Sequence, residues 1–317
     1  MSRVVVTDHA FAGVVAESGV AERFGATFSV YQCVTEAETI GAVTGADVVL
    51  VNFAPITEAV LRVMAPGATV VRYGIGYDNV DVEAARELGV AVANVPDYGS
   101  DTVADHAAAC LLMLLRKLPH YDRTIRVNGW CPPTSLGSLP GFPSTTVGLV
   151  GTGRIGRALN ARLQAFGFTV VAHDPYADAQ ALAAEGLRLV ELSELLASSH
   201  ALSLHAPLTP ETTHLVNADF LARMRAGAVL VNTSRGGLVD ETALADAIES
   251  GYLAAAALDV FDPEPLAADS RLRRLPEVLL TPHAAFFSDD SLAALQRLTA
   301  EEAARALAGE PLRCRVA

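Results

Sequence analysis

At 317 residues the chain exceeds what one hydrophobic core usually supports, so two domains are expected, and 51% hydrophobic residues supply material for both. Lys and Arg number 23 against 36 Asp and Glu, and the net charge of −13 argues against a general grip on a nucleic-acid backbone. The four cysteines have no metal-ligand spacing and are far from a disulfide framework, so neither metal nor disulfide chemistry is expected.

The chain runs from Met1 straight into the strand-like RVVVTD, without the apolar region of a secretion signal, and ACLLMLL is too short to span a membrane; a soluble cytoplasmic protein is expected. ADVVLVN, TVVRY and VAVANV read as the next strands. After TVVRY, Gly74 and Gly76 flank Ile75 ahead of a helix that Asp78 or Asp81 would cap. Backbone amides in such a turn form an anion nest, to which Arg72 adds charge, although an ordinary βα turn has the same composition. A helical pattern from about Asp101 to Val127 follows, then a loop crowded with Pro, Gly and Ser. TVGLVG, TVVAHD, HALSLHA, AVLVNT, AAAALDV and VLLTPH form a second set of strands. Runs apolar at nearly every position suit strands covered by helices on both faces, so the fold class is α/β with mostly parallel sheets. One domain lies before residue 98 or so and a second extends to about residue 282. The last 35 residues, with one helix from Ser288 to Ala308, are too few for a domain and would complete the first.

Gly151, Gly153 and Gly156 stand in the G-x-G-x-x-G arrangement between a strand and a helix, with Arg154 and Ile155 inside it. The glycines permit a tight turn, close approach to a pyrophosphate and close helix-strand packing. The helix start faces the anion. The next strand ends in Asp174, 18 residues beyond Gly156, where an acid accepts hydrogen bonds from adenosine ribose and repels a 2'-phosphate. NAD is therefore favoured over NADP.

Three further strand ends carry Arg235, Glu264 and His283. Ligands of open α/β sheets bind outside the carboxyl ends of strands, so the three could share one crevice. His283 would exchange a proton near neutral pH, Glu264 would favour its charged form, and Arg235 would grip a carboxylate. Taken singly, each reads more simply as a cap, an ion pair or a solvated charge. Their joint occurrence behind a dinucleotide fingerprint points to hydride transfer between a nicotinamide and a keto acid.

RYGIGYDNVD, GTGRIG, LHAPLTPETTHLVN, LVNTSRGGLVDE, ALDVFDPEP and TPHAA stand in family order, and the chain resembles the D-isomer-specific 2-hydroxyacid dehydrogenases over nearly its whole length. The resemblance implies a flavodoxin-like substrate domain (residues 1–98 and 283–317), a Rossmann cofactor domain inserted between (99–282), and a homodimer through the latter. It implies Arg235, Glu264 and His283 as the catalytic set, matched through S-R-G-G, D-P-E-P and T-P-H. It further implies that Tyr73, Gly74, Ile75 and Gly76 bind substrate and that Asp259 meets the nicotinamide carboxamide. Thr102, His205, Pro207, Thr209 and Thr233 would contact the cofactor. VRYGIGYDN and TPHAAFFSDDS look closest to the branch of the C-terminal binding proteins, NAD-sensing corepressors. Arg72 matches a substrate-contacting arginine of that branch, whereas Phe286 replaces its tryptophan, Asp262 a usual glutamate and Thr152 a common leucine. The expected function is NAD-dependent interconversion of a D-2-hydroxy acid and a 2-keto acid such as phosphoglycerate, glyoxylate or hydroxypyruvate. The alternative is an NAD(H)-sensing dimeric interaction protein with residual activity.

Overall fold

The near-continuous apolar runs become strands because each sheet is covered on both faces. The computed structural model describes residues 1–317. They form two compact units, Met1–Gly99 with Phe287–Ala317, and Ser100–Phe286. In the first unit, β1 (Arg3–Val6), α1 (Val15–Arg23), β2 (Thr27–Val30), α2 (Glu36–Val43), β3 (Val48–Val51), α3 (Glu58–Arg62), β4 (Thr69–Arg72), α4 (Val82–Leu88) and β5 (Ala91–Asn94) follow one another. The strands pair in parallel in the order β2-β1-β3-β4-β5. Val49, Val70 and Val92 face one apolar cluster, whereas Leu50, Val71 and Tyr73 face the other, the period-two alternation of a strand. Asp81 caps α4, its Oδ1 accepting from the Ala84 amide at 3.0 Å.

The second unit begins with α5 (Ser100–Leu115) and α6 (Leu118–Asn128). The single helix expected from Asp101 to Val127 is thus two: Lys117 adopts a left-handed φ of 52°, and proline occupies the first turn of α6. Pro119 lacks an amide hydrogen and its ring crowds the preceding turn, so one continuous helix breaks there. Next come β6 (Thr146–Val150), α7 (Arg154–Ala165), β7 (Thr169–His173), α8 (Ala179–Ala184), β8 (Arg188–Leu189), α9 (Leu192–Ser198), β9 (Ala201–Leu204), α10 (Ala218–Arg223), β10 (Val229–Asn232), α11 (Glu241–Glu249), β11 (Ala255–Leu258) and β12 (Val278–Leu280). All pair in parallel in the order β12-β11-β10-β9-β6-β7-β8. The direction of winding reverses between β6 and β9, the switch point where doubly wound sheets open a crevice. This Rossmann-type α/β architecture is the expected fold class.

The chain returns to the first unit as α12 (Asp289–Ala308), started by a Ser288 capping box. The boundary falls after Phe286 rather than after 282, because hydrogen bonds tie residues 283–285 to Asp259 behind β11. No helix is long and apolar enough to cross a membrane.

Candidate active site

The fingerprint turn leaves β6 under tight steric control. Gly151 has a φ of 95°, and a Cβ there would lie 2.7 Å from the His205 carbonyl. On Gly156 a Cβ would meet the Gly151 oxygen at 2.6 Å. A Cβ on Gly153 would meet nothing within 4 Å, so at this position the close approach that glycine permits belongs to a ligand. Gly153 is also the N-cap of α7, and no side chain caps that helix. The first-turn amides accordingly suit an anion.

Asp174 follows β7 and closes the turn from the side: its Oδ2 accepts from the Thr152 amide at 2.8 Å and the Thr152 hydroxyl at 2.7 Å. Burial works against its charge, but these bonds and the Tyr176 amide outweigh it and hold the carboxyl below its ordinary range. Thr152, which stands where leucine is common, is therefore part of the turn. Further along the same sheet edge, His205 Nε2 and Thr233 Oγ1 are buried without hydrogen-bond partners. Burial lowers the His205 imidazole to about 4, so it is neutral at physiological pH. An unpaired buried polar atom costs about 1–3 kcal/mol, which a polar ligand would offset. Pro207 and Thr209 form a closed turn beside it, with Thr212 Oγ1 donating to the Pro207 carbonyl at 2.7 Å. Ile155 packs into the core, and Thr102 lies in the first turn of α5. The uncapped helix, open Gly153 and orphaned polar atoms fit a dinucleotide.

The ends of β10, β11 and β12, adjacent in the sheet, carry the expected chemical trio. Fully buried Asn232 shapes the turn holding Arg235, donating to the Arg235 carbonyl at 2.8 Å and accepting from the Ser234 amide at 3.0 Å. A Cβ on Gly236 would stand 2.0 Å from the Phe261 carbonyl carbon, so this turn seats directly on the segment leading to Glu264. Glu264 Oε1 accepts from the Phe261 amide at 3.0 Å. Its Oε2 lies 2.8 Å from His283 Nδ1. Burial opposes the Glu264 charge, yet the bond to His283 and the charges of His283 and Arg235 leave the carboxyl below its ordinary range. Glu241, at the start of α11, accepts from the Asp262 amide at 3.2 Å and steadies the same loop. The ring of Phe286 stands edge-on to His283 at 6.2 Å.

His283 itself has a left-handed φ of 52°, a conformation costing on the order of 1–2 kcal/mol for a residue with a Cβ. Asp259 sustains it. The His283 amide donates to the Asp259 carbonyl at 2.7 Å, and the buried carboxylate accepts from the Ala284 amide at 2.8 Å and the Ala285 amide at 2.9 Å. Asp259, expected at the nicotinamide, also organises the loop of His283. Asn232 and Glu241 went unnoticed, since a polar residue at a strand or helix end is ordinary in sequence.

In the first unit, Asp8 behind β1 accepts from the amides of Asn52 at 3.0 Å and Phe53 at 2.6 Å. The Arg72 guanidinium lies 5.8 Å from the centre of the Phe53 ring, and Asn94 donates to the Ile75 carbonyl at 2.7 Å, holding the Gly74–Gly76 turn. Tyr73 departs from expectation. Its side chain is 1% exposed and donates to Glu17 at 3.0 Å, because strand alternation sends it into the core with Val71.

Comparison with known proteins identifies the family. Residues 108–285, more than half of the chain, match the model for the D-isomer specific 2-hydroxyacid dehydrogenase NAD binding domain. The chain is 42% identical over 272 residues to D-3-phosphoglycerate dehydrogenase of Mycobacterium tuberculosis, covering 86% of this chain and 51% of that one. It thus spans about half the length of the phosphoglycerate dehydrogenases it matches. A glyoxylate reductase of Korarchaeum cryptofilum is 37% identical over 249 residues, 78% of this chain and 75% of that one. The crystal structure of the TT0316 protein from Thermus thermophilus superposes with a TM-score of 0.88 at 34% identity, covering 99% of this chain and all of the other. The names of these relatives lend no support to the corepressor branch. The chain belongs to the D-isomer-specific 2-hydroxyacid dehydrogenase family.

Proposed function

We propose that this protein is an NAD-dependent oxidoreductase interconverting small 2-keto acids and D-2-hydroxy acids, a reading carried by the Glu264–His283 pair at the carboxyl edge of the cofactor sheet. Bound NAD would supply or accept the hydride. With Nδ1 held by Glu264, His283 serves the substrate through Nε2: imidazolium donates a proton to the carbonyl oxygen in reduction, and imidazole takes one from the hydroxyl in oxidation. The planar Arg235 guanidinium suits a carboxylate. By the resemblance of their motifs, Arg72, Gly74, the Ile75 and Gly76 amides and Phe286 are assigned to substrate. Gly151–Gly156, Thr102, His205, Pro207, Thr209 and Thr233 are assigned to the cofactor. Asp174 on the adenosine ribose disfavours NADP. The glyoxylate reductase and phosphoglycerate dehydrogenase relatives support short, anionic substrates. The test is a panel of glyoxylate, hydroxypyruvate, pyruvate and phenylpyruvate with NADH and with NADPH. Oxidation of NADH by at least one member is expected; demonstrated NADH binding with no turnover on any would overturn the assignment.

The protein is further proposed to form a homodimer through the second unit. α6 buries none of its residues, and Ile125, Val127 and Trp130 are exposed along it and just beyond. Cover by a second copy would remove this apolar face from water. Sedimentation should give twice the 33.2 kDa chain mass; a monomer at micromolar concentration would refute it.

A further inference from the structure

We propose that His106, on α5, is a positioning residue for the loop that carries His283, acting through Thr281 and Asp259. The inference rests on the reading of His283 as proton donor. Thr281 Oγ1 lies 2.5 Å from Asp259 Oδ1 and 3.3 Å from His106 Nε2. A hydroxyl has one hydrogen, and the carboxylate, which already accepts from two loop amides, is an acceptor. Thr281 therefore donates to Asp259 and accepts from His106, which assigns the His106 hydrogen to Nε2. A chain of donors runs from α5 through the end of β12 to the carboxylate that gathers the amides of Ala284 and Ala285, with His283 between them and Thr281.

The rest of α5 supports this placement. Cys110, one turn beyond His106 and buried, has its thiol pushed up to about 11 by burial and then by the charge of Asp259, so the same helix face lies against the carboxylate. The His106 side chain is 24% exposed and that of Asp259 1%, and 3.9 Å separates Nε2 from Oδ1, so the imidazole reaches the carboxylate by way of the threonine. Hydrogen bonds in such a water-poor network reinforce one another, and the bond from His106 orients the one hydroxyl that Asp259 receives.

The experiment compares His106→Leu, which removes the donor, with His106→Gln, which retains an N–H at similar reach, and reads two properties. Hydrogen–deuterium exchange of the Ala284 and Ala285 amides should rise about 5-fold in H106L, the loss of about one hydrogen bond. The kcat for keto acid reduction should fall about 10-fold with KM for NADH within about 2-fold, because proton donation is misaligned while cofactor binding persists. H106Q should recover most of both. Thr281→Val, made in parallel, should reproduce H106L, and the double variant should be no worse than either. Unchanged exchange in H106L or T281V, or H106Q as impaired as H106L, would overturn the proposal; should H106L not fold, T281V and H106Q decide it by the same readings. If His283 is not the proton donor, the kcat effect vanishes while the exchange effect remains, which separates the two ideas.

Discussion

Replacing Glu264 with Gln removes a charge from the site while leaving an oxygen able to accept from His283 Nδ1. The bond is 2.8 Å long, and the side chains of His283 and Glu264 are 26% and 32% exposed. A hydrogen bond involving a charged group contributes about 1.5–3 kcal/mol. Exposure of about a third of the carboxylate admits solvent screening, so the lower end, about 1.5 kcal/mol, applies here. A factor of ten in rate corresponds to about 1.4 kcal/mol. The carboxylate holds Nδ1 and stabilises the charge that the ring carries while donating its proton, so kcat for keto acid reduction should fall about 10-fold in E264Q. Initial rates of NADH oxidation with saturating keto acid, compared at one pH, measure this directly. The KM for NADH should stay within about 2-fold of the parent. A kcat that coincides with the parent's would refute the reasoning, because the Glu264 charge would then have no hold on the proton donor.

His283→Asn should lower kcat/KM by about 100-fold or more while NADH binding, followed by fluorescence, stays within about 2-fold; parallel loss of both would place His283 in cofactor binding instead. Gly156→Ala puts a methyl 2.6 Å from the Gly151 oxygen. It should cost about 1–3 kcal/mol in urea unfolding and weaken NADH, and a variant of parental stability would contradict the packing described. Asp174 is held below its ordinary 3.8 by Thr152 and Tyr176 against the effect of burial, so its stabilisation is complete above that value and lost as pH falls below it. Asp174→Asn should melt lower than the parent near neutral pH, the gap closing in acid, and a gap independent of pH would rule the carboxylate out as its source.

How much of this was legible beforehand depended on whether a residue's role is local. Both sheets were readable because strands buried on two faces must be apolar throughout, and VVLV and VLVN can be little else. β2 and β8 escaped notice: TFSV is partly exposed at a sheet edge and RL is two residues long, so neither carries that signature. Arg235, Glu264 and His283 stood out as charges at strand ends. Tyr73 was misjudged because nearness to Gly74–Gly76 in sequence says nothing about the strand face on which the ring lies. Asn232, Glu241, Thr281 and His106 gave no signal, since each acts on atoms distant in the chain.

Local periodicity and residue chemistry, expressed between neighbours along the chain, were enough to determine the alternation of strands and helices, the glycine turn and the polar strand ends. The partnership of Glu264 with His283, and the gathering of the histidine's loop around Asp259, were decided only by the parallel pairing of β10, β11 and β12. That pairing brings the ends of separate segments within hydrogen-bond reach, and a contact between such ends leaves no pattern in either segment alone.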